Sequence, residues 1–294
     1  MVAVTLMFGC SAGLPEGQPE TTTPASLDLS ALTASLQAHV DRDELPGARL
    51  LVVREGAVVG DVLVGYSDLE SRTPLTDRSI FRLASATKVF VSVAFLTLVD
   101  EGRIQISDPV SRYLPEFAEM AVFDGEGTSR PASNPLTVLD LLRHTGGMGY
   151  GYEEPYRTAL VDAGLLQTGV RFDMDWSHPW SLSDWGARLA EIPLEAEPGK
   201  VFSYGLHHDV LGLIIERISG QRLDDFVSER LLAPLGLGDS GFSVRADQVS
   251  ALTSFYSFEN DALVRVEGER RAPSSPRPGP RPGAAGGICW AMVA

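Results

Sequence analysis

The sequence predicts a mixed α/β (α+β) protein, and three stretches carry that prediction. Residues 48–66 set the β-rich runs RLLVV and VVGDVLVGY on either side of Arg54-Glu55-Gly56, a hairpin signature. Val89 to Val99 (VFVSVAFLTLV) is apolar on nearly every side and stops at Gly102, a residue suited to the position just past a helix end. Val210 to Ile218 is a second apolar helical run, closed by Gly220. Because a helix that is apolar all round is normally buried, the Val89 run is expected to lie wholly inside the core.

Taken in order, the chain opens with a short apolar segment ending in Gly9-Cys10, followed by a Pro/Glu/Thr stretch to Pro24. Residues 26–41 put Leu29, Leu32, Leu36 and Val40 at the spacing of an amphipathic helix. The hairpin and the Ser85 helix come next, and residues 104–117 read as turn-rich connections. Leu136 to Arg143 is a short helix ending in His144-Thr145-Gly146-Gly147-Met148. From Gly149 to Leu182 there is no clean period, but Tyr150, Tyr152, Tyr156, Trp176 and Trp180 fall there. Such a stretch is either a binding loop or a small core under a loop, and Tyr150 is its candidate substrate contact. Helices are expected over Leu182 to Ile192 and Leu223 to Leu232, the latter halted at Pro234.

The 294 residues carry a formal charge of −15. That excludes nucleic acid, whose phosphates would be repelled, and electrostatic docking on anionic lipid. No run approaches the ~20 apolar residues of a membrane span. The two cysteines, Cys10 and Cys289, lie near opposite ends and indicate no disulfide framework.

Ser85-Ala86-Thr87-Lys88 places a hydroxyl and an amine three residues apart at the mouth of the apolar run. Residues i and i+3 share a helix face, and a helix N-terminus favours developing negative charge. A nucleophilic hydroxyl needs both a base and donors for the oxyanion, and this placement supplies the beginnings of each. Metal chemistry has less support. Adjacent His207 and His208, with His178 elsewhere, lack a third ligand at tetrahedral spacing and the H-E-x-x-H signature. Gly146-Gly147 is followed by no Lys-Ser/Thr, so no phosphate loop is read there.

Four strings together, FRLASATK (81–88), LLRHTGGM (141–148), PGKVFSYGLHHDVLGLIIERISG (198–220) and FVSERLLAPLGLGDSGF (226–242), resemble the serine β-lactamase-like family. That family comprises class C β-lactamases, D-Ala-D-Ala carboxypeptidases and family VIII carboxylesterases. The resemblance covers roughly residues 26–271. It implies a β-lactamase/transpeptidase-like fold, with an antiparallel sheet flanked by helices plus a mostly helical lobe. It also implies Ser85 as the acylated nucleophile, Lys88 as its partner in deprotonation, and Tyr204 as the relay to the leaving group, with no cofactor. A lysine acting as base near neutral pH must have its ordinary pKa of about 10.4 pulled down by roughly three, or about 4 kcal/mol of differential environment. Whether Lys88 or Tyr204 is the base stays open at this point.

Two departures bear on specificity and extent. The family's Y-x-N element reads Tyr204-Gly205-Leu206, and Leu206, the second candidate substrate contact, cannot hydrogen-bond the amide of a β-lactam. This favours a small-molecule ester, through an acyl-serine intermediate, over β-lactams or D-Ala-D-Ala peptides. The rival of another class is a catalytically dead relative that binds acyl or peptidoglycan-like ligands. The family's later Lys/His/Trp-x-Gly strand is not found. Residues 272–294 hold five prolines, two arginines and no acid, reading either as a disordered tail or as a shifted frame. The codons for 287–292, read from the third nucleotide, give the more family-like Met/Leu-Leu-Gly. The organisation expected is therefore a signal and linker over 1–25, an incomplete hydrolase domain over 26–271, and a foreign or disordered tail. Residues 1–13 resemble a bacterial lipoprotein signal with Cys10 as lipid anchor, which implies the cell envelope or periplasm. The other reading is an unstructured tail on a cytoplasmic protein.

Overall fold

The computed structural model describes residues 27–125, 127–166 and 181–266. The expectations for residues 1–25, for Cys10 and Cys289, for Trp176 and Trp180, for His178 and for residues 272–294 lie outside that set. The mixed α/β expectation holds. The chain divides into two compact units, one within Met1–Arg82 and Ser243–Ser274, the other within Leu83–Phe242 and Ser275–Ala294.

In the first unit, helix α1 (Ser30–Asp41) sets Leu29, Leu36 and Val40 against Val62 and Val64 of the hairpin. Strands β1 (Gly47–Arg54) and β2 (Ala57–Asp68) pair antiparallel from Gly47↔Gly65 to Arg54↔Ala57, with a register shift at Val52/Val53. The turn residues Glu55 and Gly56 have φ of 53° and 76°, the double positive φ whose twist matches a two-residue hairpin. A short strand β3 (Thr73–Pro74) extends the sheet in the order β1-β2-β3. A second hairpin, Tyr256–Glu259 with Ala262–Arg265, belongs to the same unit, which is tied by the Ile80↔Leu252 bridge.

The second unit is mostly helical. Helix α2 (Thr87–Asp100) buries Val91, Ala94, Phe95 and Leu98, spaced i, i+3, i+4, i+7, and packs on the helix His207–Ser219. Gly102 takes φ 70° just past its end, as the sequence anticipates. The expectation of burial all round is corrected: Val89, Val93 and Leu96 are 44%, 42% and 40% exposed. Apolar composition told which residues could be buried, but only one face of α2 meets the helices around it.

The small pair β4 (Ala121–Phe123) and β5 (Ser129–Pro131) leads to α3 (Val138–Leu142). The N-terminus of α3 is closed by a reciprocal Thr137–Asp140 capping box. Within the aromatic stretch, α4 (Tyr156–Asp162) sends Tyr156 into the core at 1% exposure, while Tyr152 is exposed. Helix α5 (Leu182–Ala190) has a second capping box, Ser181–Asp184. Helix α6 (His207–Ser219) begins three residues before the apolar run suggested and is buried continuously from His207 to Ile215. It ends on Gly220 at φ 72°. Helix α7 (Leu223–Val227) runs on into a wider turn through Leu232. Burying each large apolar side chain contributes about 1.5–3 kcal/mol, so the α2–α6 core is the rigid base on which the candidate site rests. No helix among the described residues is long and apolar enough to cross a membrane.

Candidate active site

Ser85 lies in a single 3₁₀ turn, Ala84–Ala86, that feeds directly into α2. The residue before it, Ala84, has φ 44°, a left-handed conformation that costs a non-glycine residue about 1–3 kcal/mol. The bend leaves Ser85 exposed at the N-terminal end of the helix, and its hydroxyl makes no hydrogen bond among the described residues. Lys88, one turn on, is half-buried and donates from Nζ to the Tyr150 hydroxyl at 2.8 Å. The same ammonium lies 4.9 Å from the ring centre of Tyr204 and 5.4 Å from that of Tyr150. Desolvated cation–π contacts of this kind contribute up to about 2 kcal/mol.

The two tyrosines come from segments 54 residues apart and meet because their backbones touch. Gly149 and Gly205 form an antiparallel bridge, continued by the Leu206 amide donating to the Met148 carbonyl at 2.8 Å. A Cβ on Gly205 would lie 2.2 Å from the Met148 carbonyl oxygen, and one on Gly149 would lie 2.3 Å from a Glu195 carboxylate oxygen. At position 205, where the atoms met are backbone, only a glycine allows this approach. Its result is a 5.7 Å separation between the Tyr150 and Tyr204 rings, at 67° to each other, with Lys88 facing both.

Burial acts first on Lys88 and disfavours its charge, but Tyr150, Asp209 and Tyr204 together outweigh it and hold the ammonium above its ordinary pKa. Tyr150 is pushed up as well, by burial and then by the Asp209 carboxylate, against the pull of Lys88. The resting pair is a charged amine bonded to a neutral phenol. The depressed lysine that a simple amine base would need is not what this environment produces. Asp209 sits in the first turn of α6 at 6% exposure, where the helix N-terminus favours a carboxylate.

Beside this group lies a cluster of three imidazoles. The His144 ring centre is 4.6 Å from that of Tyr204, 4.9 Å from His207 and 4.7 Å from His208. His144 and His207 join through their Nδ1 atoms at 3.0 Å, and His208 Nε2 meets Ser92 Oγ at 2.9 Å. Burial first, then Lys88, lowers His144 to about 4. Burial first, then neighbouring charges, lowers His208 to about 3 and His207 to about 2. All three are neutral near pH 7. Among the described residues no group of three or more His, Cys, Asp or Glu side chains is arranged to hold a metal ion.

The structure thus brings Lys88, Tyr150 and Tyr204 into one group one helical turn from Ser85. Leu206, the second candidate substrate contact, is 1% exposed and part of the helical core. Sequence reasoning missed His144 and Asp209. An aspartate opening an otherwise apolar helix was the available signal for the second; nothing local marked the first.

The Beta-lactamase family profile matches residues 32–291. Esterase EstB of Burkholderia gladioli is 36% identical over 225 residues, covering 75% of this chain and 54% of that protein. Protein Rv1367c of Mycobacterium tuberculosis is 32% identical over 242 residues, covering 81% of this chain and 58% of its own length. Among solved structures, EstCE1, described as a hydrolase with promiscuous acyltransferase activity, aligns with a TM-score of 0.70 at 27% identity, covering 81% of this chain and 59% of that one. The chain therefore spans little more than half the length of these relatives.

Proposed function

The chain belongs to the beta-lactamase family and has its transpeptidase-like mix of antiparallel sheets and helices; within it, we propose a serine hydrolase that cleaves carboxylic esters through an acyl-Ser85 intermediate. The observation that carries this reading is the convergence of Lys88, Tyr150 and Tyr204 beside an exposed serine at a helix N-terminus. Ser85 Oγ forms a bond to the ester carbonyl carbon while its proton passes to Tyr204 acting in its phenolate form, with Lys88 kept beside it as the ammonium. The C–O bond to the alcohol then breaks, and the proton returns to the departing oxygen. Water repeats the sequence on the acyl-enzyme, releasing the acid and restoring Ser85. The helix N-terminus stabilises the oxyanion in both halves. The ammonium at 4.9 Å from Tyr204 favours any negative charge that develops on that phenol.

Esters are favoured over β-lactams because Leu206 leaves a substrate amide without a partner, at a cost of about 1–3 kcal/mol for an unpaired buried polar group. A second reading shares the acyl-enzyme and differs only in the acceptor: an alcohol takes the acyl group in place of water. The description of EstCE1 supports it. The test is labelling of the chain by a fluorophosphonate, alongside hydrolysis of p-nitrophenyl acetate with and without added alcohol. Labelling lost in Ser85→Ala, with ester turnover lost in parallel, is the expected result. A chain that never labels is the non-catalytic binding relative, and the hydrolase reading then falls. A new ester formed faster than free acid assigns acyl transfer instead.

A further inference from the structure

The sequence offers His207 and His208 as a pair without a metal, and the ester chemistry above leaves both unused. Their hydrogen bonds give them another role. His207 is 0% exposed, and its Nε2 receives the backbone N–H groups of Gly146 at 3.0 Å and Met148 at 3.4 Å. Backbone amides only donate, so Nε2 holds a lone pair and the single proton of this neutral imidazole is on Nδ1. That proton points at His144 Nδ1, 3.0 Å away. His144 Nδ1 must therefore accept, and it also receives the Gly205 N–H at 3.4 Å. The proton of His144 is left on Nε2. The fit is close: a Cβ on Gly146 would lie 3.0 Å from the His207 ring. His144 itself stands at φ 56°, a position directly past α3 that favours glycine, yet a histidine is held there with its ring against Tyr204.

We propose that His207 locks His144 as its Nε2–H tautomer, and that His144, so fixed, is a positioning residue for Tyr204. The second half rests on the role given to Tyr204 under the hydrolase reading. The groups facing His144 are Lys88 from α2, Tyr204 and Phe202 from the segment before α6, and His207 and His208 from α6. Lys88 alone among them is charged. With Nδ1 already accepting two hydrogen bonds, His144 takes no proton there, so no imidazolium forms beside the Lys88 ammonium.

The test uses the full chain labelled with ¹⁵N-histidine. Long-range ¹H–¹⁵N spectra near neutral pH should show His207 protonated on Nδ1 and His144 on Nε2, both unchanged down to about pH 5, well below the ordinary histidine value. In His207→Leu, His144 should gain a titration near its ordinary pKa, and the rate of Ser85 phosphonylation by a fluorophosphonate should show a new inflection at the same pH. His207→Asn, which keeps a donor near the Nδ1 position, should restore most of the wild-type profile. His144→Ala should slow acylation about a hundred-fold, the scale of a misplaced catalytic group, with KM for p-nitrophenyl acetate nearly unchanged. A proton on His144 Nδ1, or titration of wild-type His144 above about pH 5, overturns the lock whatever the activity, even where the variants do not fold. A folded His207→Leu with unchanged spectra and pH profile overturns it as well, and a His144→Ala that acylates at the wild-type rate overturns the positioning role. A wild-type Ser85 that never labels, with the expected tautomers, overturns the hydrolase reading and the role of Tyr204 while the tautomer assignment stands.

Discussion

Lys88 donates to the hydroxyl of Tyr150 at 2.8 Å across 62 residues of sequence. The phenol in turn has its own proton free to give to a third partner. Together with the Tyr204 ring at 4.9 Å, this bond fixes the direction of the amine, which four flexible methylenes would otherwise leave undetermined. The Gly149↔Gly205 bridge makes that contact possible.

Tyr150→Phe removes the acceptor and leaves the ring contact intact. A hydrogen bond to a charged group contributes about 1.5–3 kcal/mol, so kcat for p-nitrophenyl acetate should fall roughly ten- to a hundred-fold. KM should change little, since the lost interaction orients the amine and does not bind the ester. A variant with wild-type kcat and a raised KM would instead make Tyr150 a plain substrate contact.

Stability should fall on mild acidification, and the histidines set the window. His144, His207 and His208 have folded values of about 4, 2 and 3 against an ordinary 6.5. Depressed in this way, each contributes stability that is complete above the unfolded value and is lost as pH falls toward the folded one. Between about pH 6.5 and pH 4 the unfolded chain binds up to three more protons than the native one, a slope of up to about 4 kcal/mol per pH unit. His208 adds a specific obstacle to charging: its Nδ1 is buried with no partner among the described residues. Urea midpoints measured from neutral pH to pH 5 should drop steadily, and His208→Gln should flatten the curve. Midpoints that do not move with pH would contradict the burial of these rings as neutral groups.

Ser85 and Lys88 were legible because both stand at the start of one helix, where spacing alone puts them on a common face. Tyr204 was legible through its string. Tyr150 was visible only as an aromatic in an aperiodic stretch, because its bond to Lys88 depends on a backbone crossing that no local pattern encodes. The same holds for His144 and His207, whose contact spans 63 residues. The pair His207-His208 could be weighed as metal ligands only by residue type, whereas in the fold two buried amides take His207 Nε2 and a serine hydroxyl meets His208 Nε2. For α2, composition could say that Val89, Val93 and Leu96 were apolar but not that their face would be left exposed.

Gly205→Ala should damage both fold and site. Its Cβ would meet the Met148 carbonyl oxygen at 2.2 Å and the Gly149 Cα at 2.4 Å, both backbone atoms that cannot swing aside. Overpacking of this kind costs about 1–3 kcal/mol, and relief requires the two strands to part, moving Tyr150 away from Tyr204. The expected result is a lowered urea midpoint with a larger proportional loss of turnover than of stability. Retained activity in a destabilised variant would show that the tyrosine separation is not critical.

Leu206→Asn places an amide where the family's Y-x-N element has one, and two effects oppose each other. Asn is a favoured N-cap, contributing about 1 kcal/mol in good geometry. Leu206, however, has φ −79° and ψ 3° rather than the extended backbone such a cap prefers. Exchanging a leucine at 1% exposure for an amide loses core packing and leaves a buried polar group short of partners, about 1–3 kcal/mol for the unpaired group alone. Destabilisation should win. The ratio of ester to β-lactam hydrolysis should narrow only if the amide turns out of the core. A stabilised variant would show that capping dominates.

The last expectation concerns how Ser85, Lys88 and Tyr204 depend on one another. If the serine proton passes through the lysine–tyrosine pair, removing any member stops the same step. Ser85→Ala, Lys88→Ala and Tyr204→Phe should each cut ester turnover by orders of magnitude, and Lys88→Ala/Tyr204→Phe should lose little beyond the worse single variant, since residues acting as a unit are strongly non-additive. Lys88→Ala must be checked for folding, because it leaves Tyr150 without its donor. Lys88→Met keeps most of the side-chain volume and serves as the second probe. Fully additive losses would mean that Lys88 and Tyr204 act on separate steps, for instance one on acylation and the other on release of the acyl group. Single-turnover acylation by p-nitrophenyl acetate, followed apart from deacylation, distinguishes the two: a shared relay slows acylation equally in both variants, whereas divided roles slow it in only one.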